Sequence, residues 1–195
     1  MDKKSLQKER IRNYFITAAK DLIRSEGIVV VTARNVADRA GYSYATLYNY
    51  FKDIRDLIFH CIEDFMEECR SFVESRSAEF TPGRERLLAV SRHYVQFFIQ
   101  YPGIFELLYE QELSDIASRS SDIQQIDLFF NILTEKDWKR MSEQNKIINP
   151  DQRHEYYKMA VHGLMLHHLK RRKAFDFNHL MQEIESLMDV FCPAI

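Results

Sequence analysis

Between Ser43 and Phe51 the chain places hydroxyl and amide side chains in close order: Tyr44, Thr46, Tyr48, Asn49 and Tyr50. Such groups bond to phosphate oxygens and to base edges. To present them together the backbone must form a short helix, and the flanking residues favour one. Thr32 is a good N-cap, with a hydroxyl that can accept from the first free backbone N–H groups. Val36, Ala37 and Ala40 fall at helical spacing and make a small apolar face. Gly41 stands where that first helix must stop, because glycine tolerates the left-handed exit. Ser43 can cap the next helix. Leu47 and Phe51 are four residues apart and pack inward. Helix, glycine turn and helix make a helix-turn-helix, whose second helix enters the major groove. A glycine between two short helices also occurs in helical proteins that bind no nucleic acid, and tyrosines often pack in cores. The generic features alone leave both readings open.

The order of residues goes further. Thr32-x-Arg34-x-Val36-Ala37-x-x-Ala40-Gly41-x-Ser43-x-x-Thr46-Leu47-Tyr48-x-Tyr50-Phe51 closely resembles the N-terminal signature of the TetR (tetracycline-repressor) family of bacterial transcriptional regulators. Residues 11–27 are similar to that family's first helix, and Asp56-Leu57-Ile58 to the start of its fourth. The resemblance covers residues 8–60. It implies an all-α fold of about nine helices. Residues 1–52 would form a three-helix DNA-binding domain, 53–79 a connecting helix four, and 80–195 a helical ligand-binding and dimerisation domain. It further implies a regulator, in the first instance a repressor, that binds a palindromic double-stranded DNA operator as a homodimer. A small apolar or aromatic effector would release it. The DNA-binding residues on this reading are Arg34, Ser43, Tyr44, Ala45, Thr46, Tyr48, Asn49, Tyr50 and Lys52. The sequence departs from the pattern in places. Ile54 stands where the family usually has a phosphate-holding Lys, between Lys52 and Arg55. Tyr42 replaces a small aliphatic residue, and Tyr44-Ala45 a frequent Lys-Gly pair.

Charge supports a nucleic-acid partner only locally. The 195 residues carry a formal net charge of −2. Residues 1–56 hold 11 Lys+Arg against 7 Asp+Glu, net +4; residues 57–195 hold 16 against 22, net −6. The basic charge therefore lies on the part that carries the motif. Lys3, Lys4, Lys8, Arg10 and Arg12 read as a basic N-terminal arm, either a solvated tail or an auxiliary phosphate contact. Cys61 and Cys69 read as small hydrophobes, not disulfide partners. Residues 1–12 are charged, and no apolar run approaches the ~20 residues of a membrane span. No membrane association and a cytoplasmic location are expected.

Hydrophobic periodicity predicts helices throughout. Helix one spans about 8–26 with Ile11, Phe15, Ala18 and Leu22 inward, and residues 28–31 form a buried connector. Helix four runs from about 53 to 78. Residues 80–83 mark a break. Helices five to nine follow at about 84–101, 104–109, 122–143, 150–172 and 177–191, with a polar loop at 118–122. Two stripes read as partner surfaces for a homodimer through helices eight and nine. One is Met159, His162, Gly163, Leu166 and Leu169 or Lys170; the other is Leu180, Ile184, Leu187, Met188 and Phe191. The alternative is that both close the protomer's own core. Gly163 inside a helix suggests close approach of another helix. In the family, helices five to eight enclose an effector pocket, and Phe98, Phe105, Tyr109, Phe130, Trp138 and His162 are its candidate lining here. The spacing of His154, His162, His167 and His168 does not suit a helical zinc site, so no metal and no cofactor are expected. No nucleophile-elbow, phosphate-loop or dinucleotide-binding motif is present, which argues against an enzyme. The competing function is a helical interaction or sensor protein whose DNA binding is weakened or lost, and Ile54 favours it.

Overall fold

Long stretches of good helix formers, few glycines and prolines only at breaks leave this chain little choice but helix. The computed structural model describes residues 2–110, 120–144, 148–170 and 176–193. Among the described residues there are nine α-helices and no strand: α1 Lys3–Glu26, α2 Ala33–Ala40, α3 Tyr44–Leu47, α4 Ile54–Ser77, α5 Arg84–Gln100, α6 Pro102–Tyr109, α7 Ser120–Glu143, α8 Pro150–Lys170 and α9 Phe177–Phe191. The expected all-α class is the observed one. The polar loop expected at 118–122 falls partly outside the described residues, and α7 already begins at Ser120.

Two expectations near the N-terminus need correction. The basic stretch is not an arm: Lys3, Lys4, Lys8, Arg10 and Arg12 lie within α1. No glycine or proline interrupts residues 3–26, so the helix extends back through them. The connector is a 3-10 turn over Ile28–Val30. Its three-residue period buries Ile28 and Val31 on one side and leaves Val29 82% exposed.

The fold divides into two compact units, Met1–Glu67 with Tyr101–Ile126, and Glu68–Gln100 with Asp127–Ile195. This division differs from one drawn at residue 80. Helix α4 is shared, and α6 belongs with the N-terminal unit. The chain passes between the units within α4, at the α5–α6 junction and within α7.

In the first unit α1 is the hub. It buries Phe15, Ile16, Ala18, Ala19, Leu22 and Ile23 and packs against α2 and α6. Lys20 bonds to Asp64 of α4 at 2.9 Å. Pro102 opens α6, where a missing N–H costs nothing. The next residue, Gly103, lies so close to α1 that a Cβ there would sit 2.2 Å from the Ile23 carbonyl oxygen. The thiols behave as hydrophobes: all three cysteines are free and buried, and burial pushes Cys61 up to about 12.

The second unit is organised around aromatic rings. Tyr94 is fully buried, with Phe130 and Phe98 at 4.8 and 4.9 Å between centroids. Its hydroxyl lies 2.8 Å from His162 Nε2. Burial pushes His162 down to about 4, and His154 likewise. A second buried hydroxyl, Tyr157, donates to Ser91 at 2.8 Å. Asp137 is also buried; it accepts from the Gly83 N–H at 3.0 Å and from Arg86 at 2.6 Å. Burial raises its carboxyl above the usual range, against the pull of both donors.

The second α9 stripe is corrected here. Leu180, Ile184 and Met188 are fully buried within the protomer, where α9 packs against α5 and α8. These residues close the core and do not face a partner. The inference from Gly163 fails within the protomer too, since a Cβ there would meet nothing within 4 Å.

Two stability predictions follow from this packing. Gly103→Ala should destabilise the protein by about 3 kcal/mol, the upper end of overpacking costs, because backbone cannot yield to the new methyl. Urea unfolding measures this, and a loss under ~0.5 kcal/mol would contradict the close approach. The histidines set the second. Burial pushes His154 and His162 down to about 4 in the folded protein, from the ordinary value near 6.5. Between those values the unfolded chain binds protons that the folded one refuses. Their contribution is complete above about pH 6.5 and is lost as pH falls towards 4. Tm should therefore drop over that window, and His162→Gln should flatten the drop.

Candidate nucleic-acid interface

The turn between α2 and α3 is built from local hydrogen bonds. Thr32 Oγ1 accepts from the Asn35 N–H at 3.1 Å, and Asn35 Nδ2 donates to the Val30 carbonyl at 2.7 Å. These fix where α2 begins. At its end Gly41 takes φ 77°, in the left-handed region. Tyr42 N–H then reaches the Ala37 carbonyl at 3.0 Å and Gly41 N–H reaches Asp38 at 3.2 Å. This is the Schellman arrangement, which satisfies the last carbonyls and turns the chain sharply. Ser43 Oγ accepts from the Thr46 N–H at 3.2 Å and starts α3.

Helix α3 is only Tyr44–Leu47. Beyond it Asn49 and Tyr50 N–H groups bond back to Thr46 and Leu47 as turns. Tyr48, Asn49 and Tyr50 are weak helix formers, consistent with that early stop. Leu47 and Phe51 are buried as their spacing requires. Phe15 of α1 is the surface that Phe51 closes upon. Its ring lies 5.4 Å from Tyr42, 6.0 Å from Tyr50 and 6.3 Å from Phe51.

The structure sorts the candidate DNA-binding residues. Ser43, Tyr44, Ala45, Tyr48 and Asn49 are exposed, with Tyr44 at 58% and Tyr48 at 50%. Arg34 and Lys52 are exposed on either side of them in sequence. Two residues were expected to point outward and do not do so fully. Tyr50 is half-buried against Phe15. Thr46 is half-buried, its hydroxyl 2.8 Å from that of Ser43. Both are one helical turn or less from Leu47, the inward anchor. No charged side chain occurs from Gly41 to Phe51.

The start of α4 is held by its own carboxylates. Asp53 accepts from the Asp56 N–H at 2.9 Å, and Asp56 accepts from the Lys52 N–H at 2.9 Å. This resembles a capping box. Ile54 is half-buried, whereas Lys52 and Arg55 extend into solvent. Sequence reasoning passed over Tyr14, which is half exposed on α1 and stacks on Tyr42 at 6.3 Å. Its position next to the inward Phe15 was the available signal.

The effector-pocket candidates are divided between the two units. Phe98, Phe130 and His162 gather on Tyr94, a residue the sequence reading left out of the set. Trp138 stacks on His154 at 5.1 Å beside an open cleft of about 350 Å³, and joins the same rings through Tyr157, 5.9 Å from Trp138 and 6.1 Å from Phe130. Phe105 and Tyr109 lie in the other unit, packed on each other at 5.2 Å. Among the described residues no group of three or more His, Cys, Asp or Glu side chains could hold a metal. No described helix is long and apolar enough to cross a membrane.

Comparison with known proteins bears on this geometry. Residues 15–61 match the family model for bacterial regulatory proteins of the tetR family. No curated protein matches the sequence. Among solved structures, a TetR family transcription regulator from Marinobacter aquaeolei VT8 is 16% identical, with a TM-score of 0.69 over 95% of this chain and 97% of that one. The fatty acid degradation regulator FadR from Bacillus halodurans is 15% identical, with a TM-score of 0.72 over 91% and 94%. AibR, solved in complex with isovaleryl coenzyme A and operator DNA, is 17% identical, with a TM-score of 0.67 over 95% and 100%. At such identities the structural likeness establishes the shared fold, while the matched segment spans the whole helix-turn-helix. Residues 15–61 thus carry the signature of bacterial regulatory proteins of the tetR family, on a fold shared with solved TetR regulators.

Proposed function

We propose that this protein is a homodimeric repressor that reads a palindromic DNA operator and releases it when a small apolar or aromatic ligand binds the second unit. The observation that carries this reading is the exposed face of Tyr44, Ala45, Tyr48 and Asn49 at the helix-turn-helix. A buried core holds it rigid, and no other described element covers it. Arg34, Lys52 and Arg55 supply the flanking charge for phosphates.

A single short helix buries little area on DNA, and two-fold dimers read paired half-sites. Support for a dimer comes from α8. Tyr156, Met159, Gly163 and Leu166 fall at helical spacing and are all exposed, with Met159 at 60%. The open space over Gly163 would admit a neighbouring helix closely. On α9 the exposed Val190 takes the place of the buried stripe as the candidate contact.

The Tyr94–His162 pair is a polar point among rings, the composition expected of a small-molecule site. AibR, with its acyl coenzyme A ligand, makes an acyl or similarly apolar effector a reasonable class here. A ligand acts only through its differential affinity for two states. The routes open to it are the segments that belong to both units, α4, the α5–α6 junction and α7.

A second reading has its own support. The reading face carries no charge and Ile54 is apolar, which suits a helical sensor that has lost DNA binding. Gel shifts on the gene's own upstream region separate the two. The repressor should bind, with affinity falling steeply as salt rises. Absence of binding to any DNA at low salt supports the sensor instead. Tyr48→Ala should weaken binding about tenfold or more while leaving fold and dimer intact. The dimer is tested by Met159→Glu, which should shift sedimentation from dimer to monomer and abolish tight operator binding. A wild-type monomer at micromolar concentration would contradict the assigned α8 surface.

A further inference from the structure

The chemistry of the reading face restricts what it can read. Besides Ser43, whose hydroxyl is engaged in capping α3, four exposed side chains remain: Tyr44, Ala45, Tyr48 and Asn49. They comprise two phenols, a methyl group and one amide. Thr46 and Tyr50, the other polar candidates, are engaged with Ser43 and Phe15. The whole segment Gly41–Phe51 contains no Arg or Lys.

Base pairs differ in what they ask of a protein in the major groove. Guanine offers two acceptors, N7 and O6, and is chosen mainly by the guanidinium or ammonium group. Adenine offers an acceptor beside a donor, which suits an amide: Asn Nδ2 donates to N7 while Oδ1 accepts from N6. Thymine offers a methyl group, which suits small apolar and aromatic surfaces. Asn49 is the only amide on this face, and Ala45 with the tyrosine rings is its apolar surface. A phenol hydroxyl can donate to N7 of either purine and so does not by itself select guanine. In sequence the nearest cations are Lys52 after Phe51 and Arg39 in the last turn of α2, which lies 3.8 Å from the Glu26 carboxylate; Arg34 is in the first turn of α2. All three stand outside the Gly41–Phe51 segment, and charge flanking a reading helix serves phosphates.

We propose that the part of each half-site facing α3 consists of A·T base pairs, read as adenine by Asn49 and as thymine methyl groups by Ala45, Tyr44 and Tyr48. This rests on the operator-binding reading above and adds the class of base pair that the operator must present.

The test is selection of the full-length protein against a random duplex library, followed by affinity measurements on the enriched site. The expected consensus has a run of A·T pairs at the centre of each half-site. Replacing its thymines by deoxyuridine removes only the methyl groups. It should weaken binding about fourfold per contacted methyl, the factor equivalent to ~0.8 kcal/mol. Asn49→Ala should lower affinity about tenfold and lose the preference for adenine at one position. Asn49 is exposed, so an unchanged Tm is expected and checks that the variant folds. A consensus with guanine at the half-site centre overturns the proposal. So does an A·T centre indifferent to deoxyuridine and to Asn49→Ala, because that is recognition by groove shape. If no sequence is enriched and no duplex binds at low salt, the operator-binding reading itself fails, a result distinct from either.

Discussion

The ring of Phe15 is the contact on which the reading head depends. It is fully buried, and Tyr42, Tyr50 and Phe51 converge on it from the turn and from the end of the second helix. Helix α3 has four residues, too few to be stable alone. Its orientation is therefore set from outside, by Leu47 and Phe51 beneath it and by α1 behind them. The same helix α1 meets α6 where Gly103 presses on the Ile23 carbonyl. One face of α1 thus ties the head to a segment that arrives from the other unit in sequence. A change at α6 would be felt by α1 and, through Phe15, by α3.

On the proposed operator-binding reading, the head's electrostatics divide the work of recognition. Positive charge lies on α1, at Arg34, and at Lys52 and Arg55, while the centre is neutral. Phosphate contacts made by the flanks would set affinity and its dependence on salt; base contacts made by the centre would set sequence. The self-capped start of α4 fits that division. Asp53 and Asp56 occupy backbone donors that would otherwise be open to a phosphate. Any phosphate held there must rely on the Lys52 or Arg55 side chain.

Much of the fold could be read from sequence because its signals are local. Thr32 and Ser43 cap as their types require, Gly41 takes the left-handed turn, and α9 spans Phe177–Phe191 as periodicity gave it. The failures have a common cause. Periodicity tells which residues share a face but not what covers that face. Leu180, Ile184 and Met188 make a proper stripe, yet α5 and α8 of the same protomer cover it. Tyr50 has the chemistry of a base reader, but Phe15, thirty-five positions earlier, claims its ring. A pocket is made by residues distant in sequence, so its lining leaves no local pattern. Tyr94, at the centre of the aromatic cluster, carries no local mark that separates it from the other tyrosines.

The central claim is that a neutral face, held in place by Phe15, is what touches the operator. Amide chemical shifts of the full-length protein, recorded with and without its selected duplex, test this most directly. The largest changes are expected at Tyr44, Ala45, Tyr48 and Asn49, with smaller ones at Arg34, Lys52 and Arg55, and all should diminish in Phe15→Ala. Specific binding that leaves residues 43–49 unshifted, or that survives Phe15→Ala unchanged, would contradict the account.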